Sequence, residues 1–162
     1  MRICVYPGSF DPFTLGHLDV LKKAITLFDK VYVSVLNNSA KNPVFTVEER
    51  VRMIEQIVES EGLENVKPSS FGGLLVDYVD RVGAGYIIRG LRAITDFEYE
   101  FQIDAMNSRM NPSVNTVYFM AKPEHSFLSS SMIREIASFN ADLKGLVPDC
   151  TIDFVAERLR KK

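Results

Sequence analysis

Apolar residues recur along this chain in two rhythms, as short continuous runs and as stretches spaced by three and four. The run Ile3 to Tyr6 reads as a strand that Pro7-Gly8 stops with a tight turn. From Leu18 the positions Leu18, Leu21, Ala24, Ile25 and Phe28 then follow helical spacing, and Val31 to Leu36 reads as a buried strand. Together these make a βαβ unit. Thr46-Val-Glu-Glu49 is a capping box for a helix through about Glu61, with Val47, Val51, Ile54 and Val58 as its core stripe and Gly62 as its stop. A short strand is expected near Val66, where Pro68 confines it to an edge or to the strand's end. Leu74, Leu75, Tyr78, Val79 and Val82 predict a helix ending at Gly83, and Tyr86 to Ile88 a brief strand running into Arg89-Gly90-Leu91-Arg92. Thr95-Asp-Phe-Glu98 reads as a second capping box, opening a helix that ends by Asn111-Pro112. Asn115 to Met120 is the fifth strand, and Ser129-Ser130-Ser131 offers N-caps for a helix bearing Met132, Ile133, Ile136 and Ala137. Ile152, Val155, Ala156 and Leu159 space the last helix.

Strands alternating with helices predict an α/β fold, Rossmann-like, with a five-stranded parallel sheet and helices on both faces. The length of 162 residues fits one domain spanning 1–162. In such sheets ligands bind beyond the carboxyl ends of the strands, near the point where strand order reverses. Four polar clusters follow strands here: Gly8 to His17, the loop with Lys41, Arg89 to Arg92, and His125 to Ser131. They are expected to converge on one crevice.

Composition narrows the classes. With 19 basic and 21 acidic residues the net charge is −2, which gives no electrostatic case for nucleic acid. No apolar run reaches the length of a signal peptide or a membrane span, so a cytoplasmic location is expected, without a membrane partner. Cys4 and Cys150 lack metal or redox spacing, and Cys4 is expected in the core. The patterns Gly-x-Ser-x-Gly, Gly-x-x-x-x-Gly-Lys and Gly-x-Gly-x-x-Gly are all absent from the sequence, as is zinc-ligand spacing. Any metal is therefore expected to arrive with a nucleotide, as Mg²⁺ held largely by phosphates and water.

The richest stretch is Arg2 to His17, read as strand, loop and helix. A helix start leaves N–H groups unpaired and carries partial positive charge, so this corner suits a phosphate. Gly8 and Gly16 are expected to give the loop its freedom at either end, with His17 in the first helical turn facing whatever the loop holds. By itself His17 reads equally as a solvated or capping residue. Lys41 reads as a loop lysine or a phosphate ligand, and Arg89 and Arg92 as a fork for phosphate or as ion-pair partners of Asp96, Glu98 or Glu100. The three serines are caps or a second anion site, and His125 is a nucleobase contact or a surface residue.

Thr14-x-Gly-His17 directly after Pro-Gly-Ser-Phe-Asp-Pro12 resembles the nucleotidyltransferase corner. Phe45-Thr-x-Glu-Glu-Arg50, Ile88-Arg-Gly-Leu-Arg92, Asp96-Phe-Glu-Tyr-Glu100, Met106-Asn107 and Ser126-Phe-x-Ser-Ser-Ser131 extend the likeness over nearly the whole chain. The sequence is similar to the bacterial phosphopantetheine adenylyltransferase family. The resemblance implies transfer of AMP from ATP to 4′-phosphopantetheine, giving dephospho-coenzyme A and pyrophosphate, with Mg²⁺ and a homohexamer; because the product carries the pantetheine arm and an adenosine, competition by coenzyme A for the same crevice is also expected. It implies that Ser9, Lys41, Leu75 and Arg89 hold phosphopantetheine, with Leu74 and Asn107 along its arm. ATP is then surrounded by Ser9, Phe10, His17, Gly90, Leu91, Arg92 and Glu100, and by His125, Ser126, Phe127, Leu128, Ser129, Ser130 and Ser131. His17 stabilises the transition state, helped by Lys41 and Arg92. Ser9 stands where other members have threonine, and His125 at a position often aromatic. The competing expectations are a nucleotidyltransferase acting on nicotinamide mononucleotide or glycerol phosphate, and a nucleotide-binding module without turnover.

Overall fold

A computed structural model describes residues 1–38 and 42–160. Five parallel strands form one sheet in the order β3-β2-β1-β4-β5. The strands are β1 (Ile3–Gly8), β2 (Lys30–Leu36), β3 (Val66–Phe71), β4 (Tyr86–Leu91) and β5 (Asn115–Met120). The helices are α1 (Leu15–Leu27), α2 (Val47–Ser60), α3 (Leu75–Arg81), α4 (Ile94–Met110), α5 (Ser130–Ser138) and α6 (Ile152–Leu159). The two faces of the sheet carry separate apolar clusters, because side chains alternate along each strand. Cys4, Tyr6, Val33 and Ile88 pack with α1, α2, α5 and α6 on one face. Val5 and Ile87 pack with Tyr78 and Val79 of α3 on the other. This is the α/β architecture that the alternating pattern predicts, and Cys4 is in the core, where burial pushes its thiol up to about 12.

Three predicted boundaries move. β1 does not stop at Tyr6 but runs through Pro7-Gly8, in register with Ser34 and Val35 of β2. Pro7 is tolerated because β1 pairs with β4 only at Cys4 and Val5, so the missing N–H falls where that ladder has ended. Helix α1 begins at Leu15 rather than Leu18, because Thr14 caps it: the Thr14 hydroxyl accepts from His17 N, and His17 Nδ1 accepts from Thr14 N at 3.0 Å. Gly16 therefore lies inside the first turn instead of ending a loop. Gly8 is needed for space, since a Cβ there would stand 2.7 Å from the Phe10 ring. β4 likewise carries Arg89 and Gly90 within the strand rather than beyond it.

The Thr95 capping box does not form. Ala93 occupies the N-cap, and the Asp96 carboxylate accepts from the backbone N–H of Arg92 at 3.0 Å, so the chain enters α4 two residues earlier. The Thr46–Glu49 box forms as expected, and Gly62 adopts the left-handed φ of +64° just past α2. The buried stripe of α2 is rotated toward Arg50, Met53, Ile54 and Ile57, with Val47, Val51 and Val58 at its margins. β3 is an edge strand, which leaves Pro68 harmless.

A tight helix-to-sheet approach constrains residue 90. A Cβ on Gly90 would lie 2.8 Å from Val20 Cγ2 of α1. Gly90→Ala is expected to destabilise the protein by about 1–3 kcal/mol through overpacking. Val20→Ala in the same chain should recover part of the loss. Chemical denaturation checks both, and a Gly90→Ala chain as stable as the parent overturns the account.

Candidate active site

Beyond Val5 and Ile87 the strands β1 and β4 no longer pair, and the crevice opens where strand order reverses. Arg89 spans the gap from the β4 side: Nη1 donates to the Pro7 carbonyl at 3.3 Å. The same guanidinium grips Glu100 of α4 with two bonds, Nε to Oε2 at 2.6 Å and Nη2 to Oε1. Thus the ion-pair reading of the arginines is realised in the ligand-free protein. Arg92 bonds Asp96 through Nε at 3.2 Å, while its Nη1 donates to the Leu128 carbonyl at 2.9 Å. That bond ties the end of β4 to the segment entering α5.

Two cavities flank the Arg89–Glu100 pair. The larger, about 470 Å³, is lined by Phe10, His17, Gly90, Arg92, Leu128, Ser129 and Ser130, with Glu100 and Arg89 on the shared wall. The smaller, about 350 Å³, is lined by Ser9, Leu74, Leu75 and Asn107, again with Arg89 and Glu100. Several residues expected around ATP thus line the larger cavity and several expected around the acceptor the smaller, whereas Ser9, expected at both, lines only the smaller cavity and the third hollow, and Ser131 only the third hollow. A third hollow of about 270 Å³ adjoins Ser9, Ser130 and Ser131.

Some expected residues stand apart. Leu91 is buried and lines none of the three cavities. His125, Ser126 and Phe127 lie in or beside a single 3₁₀ turn, Pro123–His125, outside all three cavities. Of this group the His125 Nδ1 is buried without a hydrogen-bond partner among the described residues. Lys41 lies outside the described residues. The serines of the triplet each make a different bond. Ser129 caps α5 through Met132 N at 3.1 Å, Ser130 donates to the Pro12 carbonyl at 2.8 Å, and Ser131 accepts from Arg134 Nη2 at 3.2 Å.

The electrostatics of His17 follow from its contacts. Because Thr14 N–H donates to Nδ1, that nitrogen must hold a lone pair, so a neutral imidazole carries its proton on Nε2. Phe10 meets the ring edge-on at 5.1 Å and Phe13 packs at 5.3 Å. Burial, and then the charges of Arg92 and Arg89, push the His17 pKa down from 6.5 to about 4. His17 is thus a neutral donor beside two guanidiniums.

Sequence reading missed Tyr99, Ile103 and Asp104 of the smaller cavity, and Thr95 and Asp96 of the larger. A signal existed for the first set: Glu100, Ile103 and Asn107 recur at helical spacing and so share one face of α4. Asp19 was also missed. This buried carboxylate accepts from Lys23 Nζ at 2.9 Å and from Lys122 N at 3.2 Å, which joins α1 to the chain leaving β5.

Comparison with known proteins agrees with this geometry. The family described as cytidylyltransferase-like matches residues 5–136. A phosphopantetheine adenylyltransferase of Caldanaerobacter subterraneus subsp. tengcongensis is 47% identical over 162 residues, covering 100% of this chain and 98% of the relative. One from Lachnoclostridium phytofermentans gives the same identity and coverage, 47% over 162 residues. Among solved structures, a Vibrio parahaemolyticus protein provisionally assigned as a nicotinate-nucleotide adenylyltransferase superposes with a TM-score of 0.72 at 17% identity, covering 98% of this chain and 95% of its own. That likeness concerns the fold. The chain belongs to the phosphopantetheine adenylyltransferase family, within the cytidylyltransferase-like group.

The histidine geometry sets a pH dependence. An unfolded imidazole protonates near 6.5 and the folded His17 only near 4, so between these values the unfolded chain binds the extra proton. His17 therefore costs the fold stability as the pH falls through that window and nothing above it. Nitrogen-resolved NMR should show His17 neutral, protonated at Nε2 and untitrated above about pH 5, against the ordinary histidine range. A midpoint in that ordinary range would refute the assignment.

Proposed function

We infer that this chain is an adenylyltransferase that moves AMP from ATP to 4′-phosphopantetheine, giving dephospho-coenzyme A and pyrophosphate in coenzyme A synthesis. The observation carrying this reading is the pair of adjoining cavities with a common Arg89–Glu100 wall. Two anionic substrates are thereby brought side by side at one cationic seam. ATP takes the larger cavity, its phosphates near His17, Arg92, Ser129 and Ser130. Phosphopantetheine takes the smaller, with its arm along Leu74, Leu75 and Asn107 and its phosphate toward Ser9 and Arg89. Lys41 joins that phosphate by the family resemblance.

An oxygen of the acceptor phosphate attacks the α-phosphorus of ATP. The new P–O bond forms as the bond from that phosphorus to the bridging oxygen of the β-phosphate breaks, and pyrophosphate leaves with the electron pair. The attacking oxygen is already ionised, so no proton has to be removed. The work left to the protein is alignment and charge stabilisation. His17 Nε2–H donates to the α-phosphate oxygens, and Arg92 and Lys41 balance their charge. Mg²⁺ would arrive with the nucleotide, held largely by phosphates and water, and would supply charge neutralisation there. Asp96 and Glu100 are already committed to Arg92 and Arg89, which supports a metal held by phosphate and water. Coenzyme A, sharing both the pantetheine arm and the adenosine, competes for the same crevice. The cytoplasm is the expected compartment, where the free Cys4 and Cys150 thiols persist.

Pyrophosphate release from ATP is to be measured with phosphopantetheine, nicotinamide mononucleotide and glycerol phosphate in turn. Turnover with phosphopantetheine is expected, and product only with another acceptor overturns the reading. His17→Ala should lower kcat by about 10²–10³ with little change in ATP affinity, as loss of one preorganised donor does. Near-normal turnover in that variant removes the role.

A homohexamer is part of the proposal. It is supported by the face of α4 that carries Ile94, Phe97 and Phe101 at i, i+3 and i+7, where Ile94 is 82% and Phe101 60% exposed. A patch of this kind marks an association surface. Phe101→Glu should shift the sedimenting species to smaller assemblies, whereas a parent chain that sediments as a monomer refutes the proposal.

A further inference from the structure

The corner between β1 and α1 is held in a conformation that side-chain-bearing residues rarely adopt. Phe10 has φ of +48°, in the left-handed region. Such a residue persists only where its surroundings fix it. The carbonyls around it are each taken by a different side chain. Arg50 Nη1 of α2 donates to Ser9 O at 2.7 Å, Arg134 Nη1 of α5 to Asp11 O at 2.6 Å, and Ser130 Oγ to Pro12 O at 2.8 Å. The Asp11 carboxylate accepts from the N–H groups of Val44 and Phe45 at 3.0 and 2.9 Å, and lies 3.7 Å from Arg134 Nη1. Arg50 also donates through Nε to the Thr46 carbonyl at 3.2 Å, so one guanidinium joins the N-cap of α2 to the corner.

We propose that Arg50 and Arg134 are positioning residues for the acceptor phosphate, acting through the backbone of Ser9 to Asp11. Both border the third hollow, where arginines would ordinarily read as phosphate ligands. Their bonds go elsewhere. Arg50, only 3% exposed, gives Nη1 and Nε to backbone oxygens, and Arg134 gives Nη1 to Asp11 O and Nη2 to Ser131 Oγ. In the planar trans Ser9–Phe10 peptide the N–H is anti to the carbonyl, so fixing Ser9 O on Arg50 turns the Phe10 N–H away from it. The same bond fixes the Ser9 backbone, and hence where its hydroxyl stands on the smaller cavity. A donor that is aimed before the phosphate arrives costs less to order on binding.

The inference rests on the smaller cavity being the acceptor site. The test is Arg50→Lys. Lysine keeps the charge but lacks the planar fork that reaches both Ser9 O and Thr46 O. The KM and calorimetric Kd for phosphopantetheine should rise about tenfold or more, as for a lost charge-assisted hydrogen bond, with the KM for ATP nearly unchanged. Ile54→Val, a core change in the same helix, should lower Tm with the acceptor KM unmoved, which separates positioning from stability. In a Ser9→Ala background the Arg50→Lys effect should shrink, because part of it passes through the Ser9 hydroxyl. If Arg50→Lys does not fold, Arg134→Gln reads the same corner through Asp11 O, with the same expected split. Wild-type turnover with an unchanged acceptor KM in the folded variants overturns this inference alone, as do equal rises for both substrates or an undiminished effect in the Ser9→Ala background. Absence of wild-type turnover with phosphopantetheine overturns the functional reading and this inference with it.

Discussion

The structure depends on the point where β1 and β4 part. They pair at Cys4–Tyr86 and Val5–Ile87 and then separate, while β1 stays registered with β2 to Gly8 and β4 with β5 to Leu91. A parallel ladder that stops early leaves backbone groups on both strands in need of partners. Arg89 supplies one by donating to Pro7 O, and in doing so brings a guanidinium to the floor of the crevice. The same separation makes Pro7 tolerable and leaves room for Phe10 against Gly8. Backbone geometry, the strained corner and the first cation of the site therefore have one origin.

Around that opening the chain uses carboxylates as fasteners. Asp11 joins the corner to residues 44 and 45, Asp19 joins α1 to Lys122, Asp96 closes on Arg92, and Glu100 on Arg89. For Asp19, burial alone would raise the pKa, but bonds from Lys23 and Lys122 and their charges outweigh it and hold the carboxyl below its ordinary value. Every fastener crosses between two loops or elements that border the crevice. The loops after four strands are thus held in register around the crevice.

The sequence revealed the elements well where apolar period and caps agree. β5 lies at Asn115–Met120 as expected, α6 at Ile152–Leu159, and the Thr46–Glu49 box opens α2. It misled where a residue that ends elements locally is accommodated by a distant partner. Pro7 looked like a stop because its missing N–H is visible in sequence, whereas the early end of the β1–β4 ladder is not. Thr95 looked like a cap because Thr-x-x-Glu matches the box, whereas the helix starts two residues earlier, with the Arg92 N–H taken up by Asp96. Most residues lining the two cavities stood in recognisable motifs, and the family resemblance already divided them into an ATP set and an acceptor set; that the two cavities adjoin across Arg89 and Glu100 was not legible. Ser9 and Asn107 are far apart in sequence, and only the fold puts both on the cavity opposite His17. Asp11 and Arg50 sat inside conspicuous motifs, yet their work is to hold backbone oxygens and N–H groups, which no spacing rule encodes.

Charge balance explains why the histidine has to be neutral. Two guanidiniums stand near His17, and a third positive charge there would be costly in a partly enclosed crevice, so burial and repulsion together favour the uncharged ring. On the proposed mechanism a neutral Nε2–H would be a modest partner for the phosphate of bound ATP. Its bond strengthens as negative charge gathers on the α-phosphate oxygens during transfer. An imidazolium would have bound ATP tightly before reaction and so have lowered the starting state along with the transition state. The carboxylates on Arg89 and Arg92 act in the same direction, since each guanidinium must be shared with Glu100 or Asp96 rather than given wholly to a phosphate. Weak ground-state grip on several points, with the donors already aimed, is the arrangement that favours turnover over retention.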